Sequence, residues 1–320
     1  MDGRKETVLK AVAGQEPERI PLLYAYSLEK SDIINIPVVR HFTGPESNMS
    51  EWGFKWAHLD NGLLMGQPER PVIEGWNGLA DFRTPDARDP DRFAHVPEIM
   101  ERYGADRYYK ANFTLSGFAI ISMLRGFSNT CEDFYLEREN LLELTDRVFD
   151  FEREVIRQAA KYGFCAIGLA DDWGTQTSLF IAPDLWREFF KPRYKEEIEL
   201  AHSLGLHVYL HSCGYIFDII EDLIEIGLDI LNPGQPDING IESMGWQFGS
   251  RICFACPPSY QSTGISGKED DIREQIRLYR KHLHKRGGLI GIIPEDSAAL
   301  GISPESFRAM EEAFGLPLPN

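Results

Sequence analysis

The chain has no apolar run approaching the roughly 18 residues that span a bilayer, so no transmembrane helix is expected. Its first residues, Met-Asp-Gly-Arg-Lys-Glu-Thr, lack the apolar segment of a secretory leader. Cysteine is scarce, with five residues (131, 165, 213, 253 and 256) in a chain of 320. An odd count without an export signal argues against a disulfide framework and for a reducing cytoplasm. Basic residues are outnumbered, 33 Lys and Arg against 50 Asp and Glu, for a formal net charge of −17. A surface so acidic disfavours nucleic acid and anionic membrane as partners. No Gly-x-Gly-x-x-Gly follows the first apolar run, which weakens the case for a dinucleotide-binding fold. No short internal repeat is evident.

What is present is a rhythm. Eight short apolar runs start near 20, 61, 107, 165, 206, 228, 250 and 289 and alternate with segments of helical periodicity. The clearest helix covers 139–162, where Leu142, Val148, Phe149, Val155 and Ile156 recur on one face and Gly163 ends it. Others are expected at 4–13, 116–124, 184–204, 216–226, 269–285 and 303–313. Eight βα units in a chain of this size predict a single (β/α)8 TIM barrel over 1–320. Residues of about 27–106, rich in proline and carrying Trp52 and Trp56, read as insertions forming a lid over the C-terminal mouth. Within them a small hairpin is expected, Pro71–Trp76 paired with Leu79–Arg83.

In such a barrel the active site lies at the C-terminal strand ends, and here those ends are polar. The fifth run is Leu-His-Val-Tyr-Leu-His-Ser-Cys-Gly. His207, Tyr209, His211 and Cys213 fall at spacing two and so share one face, and Gly214 permits a sharp exit. A His-x-Cys pair offers an imidazole nitrogen and a thiolate sulfur close together, which suits zinc. Around it the other strand ends contribute Tyr24 and Tyr26, Asn112 and Thr114, Asp171 and Asp172 with Gln176 close behind, Asn232 and Gln235, Cys256, and Glu295 with Asp296. Only one of Asp171 and Asp172 can face inward; the pair is the candidate for proton handling. Cys165 and Cys253 read as core fillers, Cys131 as a structural residue on a helix flank, and His282 and His284 as solvated helix residues.

The stretches Glu-Pro-Glu-Arg-Ile-Pro (16–21), Asp-Asp-Trp-Gly-Thr-Gln (171–176), Phe-Phe-Lys-Pro-Arg-Tyr (189–194), His-Ser-Cys-Gly (211–214) and Asn-Pro-Gly-Gln-Pro (232–236), in this order, resemble the uroporphyrinogen decarboxylase superfamily. The likeness is closer to its corrinoid-linked methyltransferase branch than to the decarboxylase. It implies a (β/α)8 barrel, zinc on His211 and Cys213, and a corrinoid carried by a separate partner protein. The branch often supplies a further cysteine after the eighth strand; here Glu295 and Asp296 stand there, so a carboxylate or Cys256 is the expected third ligand. The decarboxylase is expected to hold its polyanionic substrate with arginines near the first strand, and Ile20–Ser27 contains none.

The resulting expectation is a zinc-dependent methyltransferase. It would move a methyl group between a small O- or N-methylated substrate and the cobalt of a corrinoid protein. Tyr24, Tyr26, Asn112, Gln176, Tyr209, Asn232 and Gln235 are the expected substrate contacts. The alternatives are a metal-free decarboxylase and a non-catalytic ligand-binding or corrinoid-partner subunit. A homodimer is left as an expectation.

Overall fold

The computed structural model describes residues 2–40, 48–57, 67–259, 262–294 and 302–316. Eight parallel strands carry the fold: β1 Leu22–Tyr24, β2 Ile33–Pro37, β3 Tyr108–Asn112, β4 Ala166–Ala170, β5 His207–Ser212, β6 Ile230–Pro233, β7 Cys253–Cys256 and β8 Leu289–Ile293. Their spatial order is β1-β8-β7-β6-β5-β4-β3-β2. The Asp32 amide donates to the Leu22 carbonyl at 2.9 Å and brings β1 against β2, so the sheet nearly closes. Helices lie between the strands, as in a (β/α)8 TIM barrel.

The alternation of each strand splits the apolar residues into two layers. Leu23, Ile33, Tyr108, Ala166, Tyr209, Ile230, Cys253, Ala255, Ile290 and Ile292 fill the lumen, closed at one end by Val8 and Ala11 of the first helix, Arg4–Val12. Ile34, Ile36, Ala111, Ile167, Leu169, Val208, Leu210, Leu231, Phe254 and Cys256 face outward into the packing of strands on helices.

Three elements differ from the sequence expectation. The second strand is Ile33–Pro37, inside the stretch read as irregular; the run expected near 61–65 lies outside the described residues. The expected hairpin is absent: Trp76–Ala80 forms a 3-10 helix. The segment expected as one helix over 184–204 is two, Pro183–Phe189 and Lys191–Ser203. Pro192 has no N–H to give to a preceding turn and so begins a new helix. Trp52 and Trp56 are buried, and Trp52 meets Phe151 of the helix Arg138–Ala159 edge to face at 4.8 Å. A buried ion pair, Arg92 to Glu51 at 2.6 Å, ties the same segment down.

Candidate metal centre and its supports

His211 is the last lumen-facing residue of β5 and Cys213 follows two residues on, so both reach the mouth. Their Nε2 and Sγ atoms are 3.4 Å apart. Asp172, one residue after the Asp171 that ends the β4 edge, completes the group: its Oδ1 is 3.6 Å from His211 Nε2 and accepts the Cys213 N–H at 2.7 Å. One ligand atom from each residue lies within 4.8 Å of the others. Sulfur, imidazole nitrogen and carboxylate oxygen at this separation fit a metal ion.

The tautomer of the neutral histidine is set by its neighbour. Asn232 donates its Nδ2–H to the Ala255 carbonyl at 2.7 Å, which points its Oδ1 at His211 Nδ1, also at 2.7 Å. An oxygen can only accept, so Nδ1 carries a proton, and in the neutral ring Nε2 then turns its lone pair to the mouth. Such an outer partner fixes the ring and makes it a better donor. The Cys213 thiol is pushed up by burial and by the negative charge of Asp172 beside it; a cation among the three would reverse that balance.

Glycines bring the two ligand-bearing loops together. A Cβ on Gly214, already at φ +81, would stand 2.0 Å from the Gly174 carbonyl oxygen, and one on Gly174 would stand 2.3 Å from the Tyr215 nitrogen. A Cβ on Gly234 would press to 2.9 Å from the Cys213 sulfur. Gln235 Oε1 accepts the Gly214 N–H at 2.8 Å. Asn239 accepts from the Ile216 N–H at 2.7 Å and donates to the Gly214 and Gln235 carbonyls at 2.9 and 3.0 Å.

The remaining expected site residues divide. Asn112 and Tyr209 face the lumen. Gln176 and Tyr26 are exposed, with Gln176 3.5 Å from Gln235. Asn232 and Gln235, expected as substrate contacts, give their polar ends to His211 and Gly214 as described. Tyr24 was expected at the mouth, but Leu23 takes the lumen position of β1; Tyr24 turns outward, and its hydroxyl donates to Glu311 at 3.0 Å on the helix Pro304–Gly315. Cys256 was a candidate ligand, but it belongs to β7, where Cys253 and Ala255 hold the lumen phase; its sulfur is buried in the outer layer. Glu295 and Asp296 lie outside the described residues.

Asp171 also faces away from the mouth. It is buried and accepts from the Phe118 and Ala119 amides, each at 2.8 Å, at the start of the helix Gly117–Arg125, and from the Tyr194 hydroxyl. Burial raises its pKa well above the carboxylate range, against the lowering effect of those hydrogen bonds. Glu152 accepts the Gly117 N–H at 2.8 Å beside it, and Glu197 adjoins Glu152. The sequence pattern contained no signal for Asn239 beyond the Asn-Gly turn, whereas the outward phase of Asp171 follows from the inward phase of Asp172.

Two solved structures share the fold. A methyltransferase from Methanosarcina mazei superposes with a TM-score of 0.72 at 16% identity, covering 98% of each chain. A D-psicose 3-epimerase, solved in the presence of D-fructose, gives 0.51 at 10% identity over 93% of this chain and 100% of that one. No curated protein matches the sequence. The family model for uroporphyrinogen decarboxylase (URO-D) matches residues 63–241, more than half of the chain, and includes Asp172, His211, Cys213 and Asn232. The chain belongs to the uroporphyrinogen decarboxylase family.

Proposed function

We propose that the protein is a zinc-dependent methyltransferase that takes a methyl group from a small O- or N-methylated donor and delivers it to the cobalt of a separate corrinoid protein. One observation carries the reading. A thiol, an oriented imidazole and a carboxylate stand together at the mouth of a barrel of this family. Asp172, His211 and Cys213 would hold the zinc, which when bound supplies a Lewis acid for the donor's heteroatom. Cys213 would hold the ion as its thiolate. Asp172 uses one oxygen on Cys213 N–H and keeps the other for a proton or the substrate. Tyr209 and Asn112 would line the donor's seat, with Gln176 and Tyr26 at its exposed edge. Segments within about 27–106, apart from β2, would serve as the lid. The five cysteines are free thiols, which suits a cytoplasmic setting.

The test is methylation of cob(I)alamin from a panel of methyl ethers and methylamines, run beside a metal analysis. Protein that carries no metal, and whose turnover zinc does not restore, sinks the reading. Family membership keeps a decarboxylase as the second reading. Against it, Arg19, the arginine nearest β1 in sequence, is committed to Asp32 through two hydrogen bonds of 2.6 and 2.7 Å. Carbon dioxide release from uroporphyrinogen would favour it.

A further inference from the structure

Deeper in the lumen than the candidate metal cluster lies a lysine that the proposed chemistry does not use. Lys110 lies on β3 two residues before Asn112, so both side chains enter the lumen. Lys110 is 3% exposed. Its stem crosses Gly168 of β4, where a Cβ would stand 2.9 Å from the lysine Cδ and Cε. Its Nζ ends 3.3 Å from the centre of the Tyr209 ring. Among the described residues it has no ion pair and no hydrogen bond. Burial pulls its pKa down to about 7, and among the described residues no carboxylate stands near enough to oppose the shift. Its register partner on β2 is Asn35, whose Oδ1 is buried without a hydrogen-bond partner.

Burying an ammonium with no anion beside it is costly, and the ring face offsets only part of that cost. A methionine would fill the same space without it. The missing partner is therefore one that arrives with a ligand. Tyr209 joins the two places: it lies under Lys110 Nζ and two residues before His211 on the same face of β5. We propose that the lumen at Lys110 is a subsite for an oxyanion, a carboxylate or a sulfonate. The donor is then a small anionic molecule, its charged end on Lys110 and its methylated heteroatom at Asp172, His211 and Cys213. Asn35 is the second polar group of the subsite. Half a turn of its amide presents N–H to the oxyanion and gives up no hydrogen bond at Oδ1. The placement of the heteroatom rests on the methyl-transfer reading; the anion subsite does not.

The experiment reads Lys110 directly, in zinc-loaded protein labelled with 13C at lysine Cε, its resonance assigned by its loss in Lys110→Met. The probes are acetate, methanesulfonate, 4-methoxybenzoate and the neutral anisole. The expected result is a saturable shift of the Lys110 resonance with at least one anion and a raised titration midpoint. Anisole leaves both unchanged. The effective anion names the oxyanion class, and its affinity should fall about tenfold or more in Lys110→Met and Lys110→Gln. Should both variants fail to fold, Lys110→Arg, which keeps the charge, assigns the resonance, and its shift and midpoint in the native chain decide. Anions that leave the Lys110 resonance in place overturn the proposal, as does equal affinity in the variants, which would mean binding to the zinc. Anion binding without methyl transfer would sink the transfer reading and leave the subsite standing. Turnover of a neutral methylated donor with no anion effect at Lys110 would do the reverse.

Discussion

Asp171 and Asp172 are adjacent in the chain and belong to different chemistry. Asp172 enters the mouth, half exposed, beside His211 and Cys213. Asp171 passes through the barrel wall to a dry compartment with Glu152, Glu197 and Tyr194, where it holds the start of the helix Gly117–Arg125. The wall between them is one strand thick. The difference teaches that the side of the sheet, more than the residue type, decides whether a carboxylate serves a ligand or the fold.

The comparison can be broken most sharply at Cys213. Cys213→Ala and His211→Ala should each abolish stoichiometric zinc binding, measured by metal analysis after dialysis, while the melting temperature of the metal-free protein stays within a few degrees. A large loss of metal-free stability would mean that the mouth is structural after all. The converse substitution, Asp171→Ala, should cost roughly 3 kcal/mol or more in urea unfolding, because it leaves two helix amides and a buried phenol unpaired, while the folded variant still takes up zinc. Asn232→Ala lies between the two regions in kind. It should weaken zinc about 10–100-fold by competition with a chelating dye, with a smaller effect on the fold.

The smallest effect concerns the buried acids. Burial pushes Glu152 up to about 7 and Glu197 well above its usual range. Their folded pKa values exceed the unfolded ones, so the folded state binds more protons. Stability should then decline as pH rises past the unfolded value of about 4.3 and continue down through neutrality. Glu197→Gln, which cannot ionise, should flatten that decline: its melting temperature relative to the native chain should rise between pH 5 and pH 8. A difference that does not change with pH would show that Glu197 is not the group responsible.

The barrel was legible in the sequence because apolar runs of four to six residues alternate with long helical stretches. The second strand was not: Ile33–Pro37 carries Asn35 and Pro37 on its lumen face, so its composition reads as loop. His211 and Cys213 were legible from a period of two alone. Asp172 was singled out as an acid but not as a candidate ligand, since its place beside His211 and Cys213 depends on the contact of Gly174 with Gly214, a fact of tertiary structure. Cys256 misled because its strand looked finished one residue earlier; with Ala255 in the lumen, alternation turns the sulfur out. Lys110 carried a signal, a charge two residues before Asn112 within an otherwise uncharged strand, that gains meaning only once the described residues around it are seen to contain no acid.

The amide of Asn232 is asymmetric, and its two ends report to different strands. It reads a carbonyl on β7 and writes an orientation onto a ring on β5, with β6 as the strand between them. His211 and Asn232 are register partners, so the relay depends on alignment along three neighbouring strands. The donor strength of the candidate metal centre is in that sense inherited from the sheet. A slip of β7 by one residue would leave every ligand in place and still return the imidazole to its free choice of tautomer.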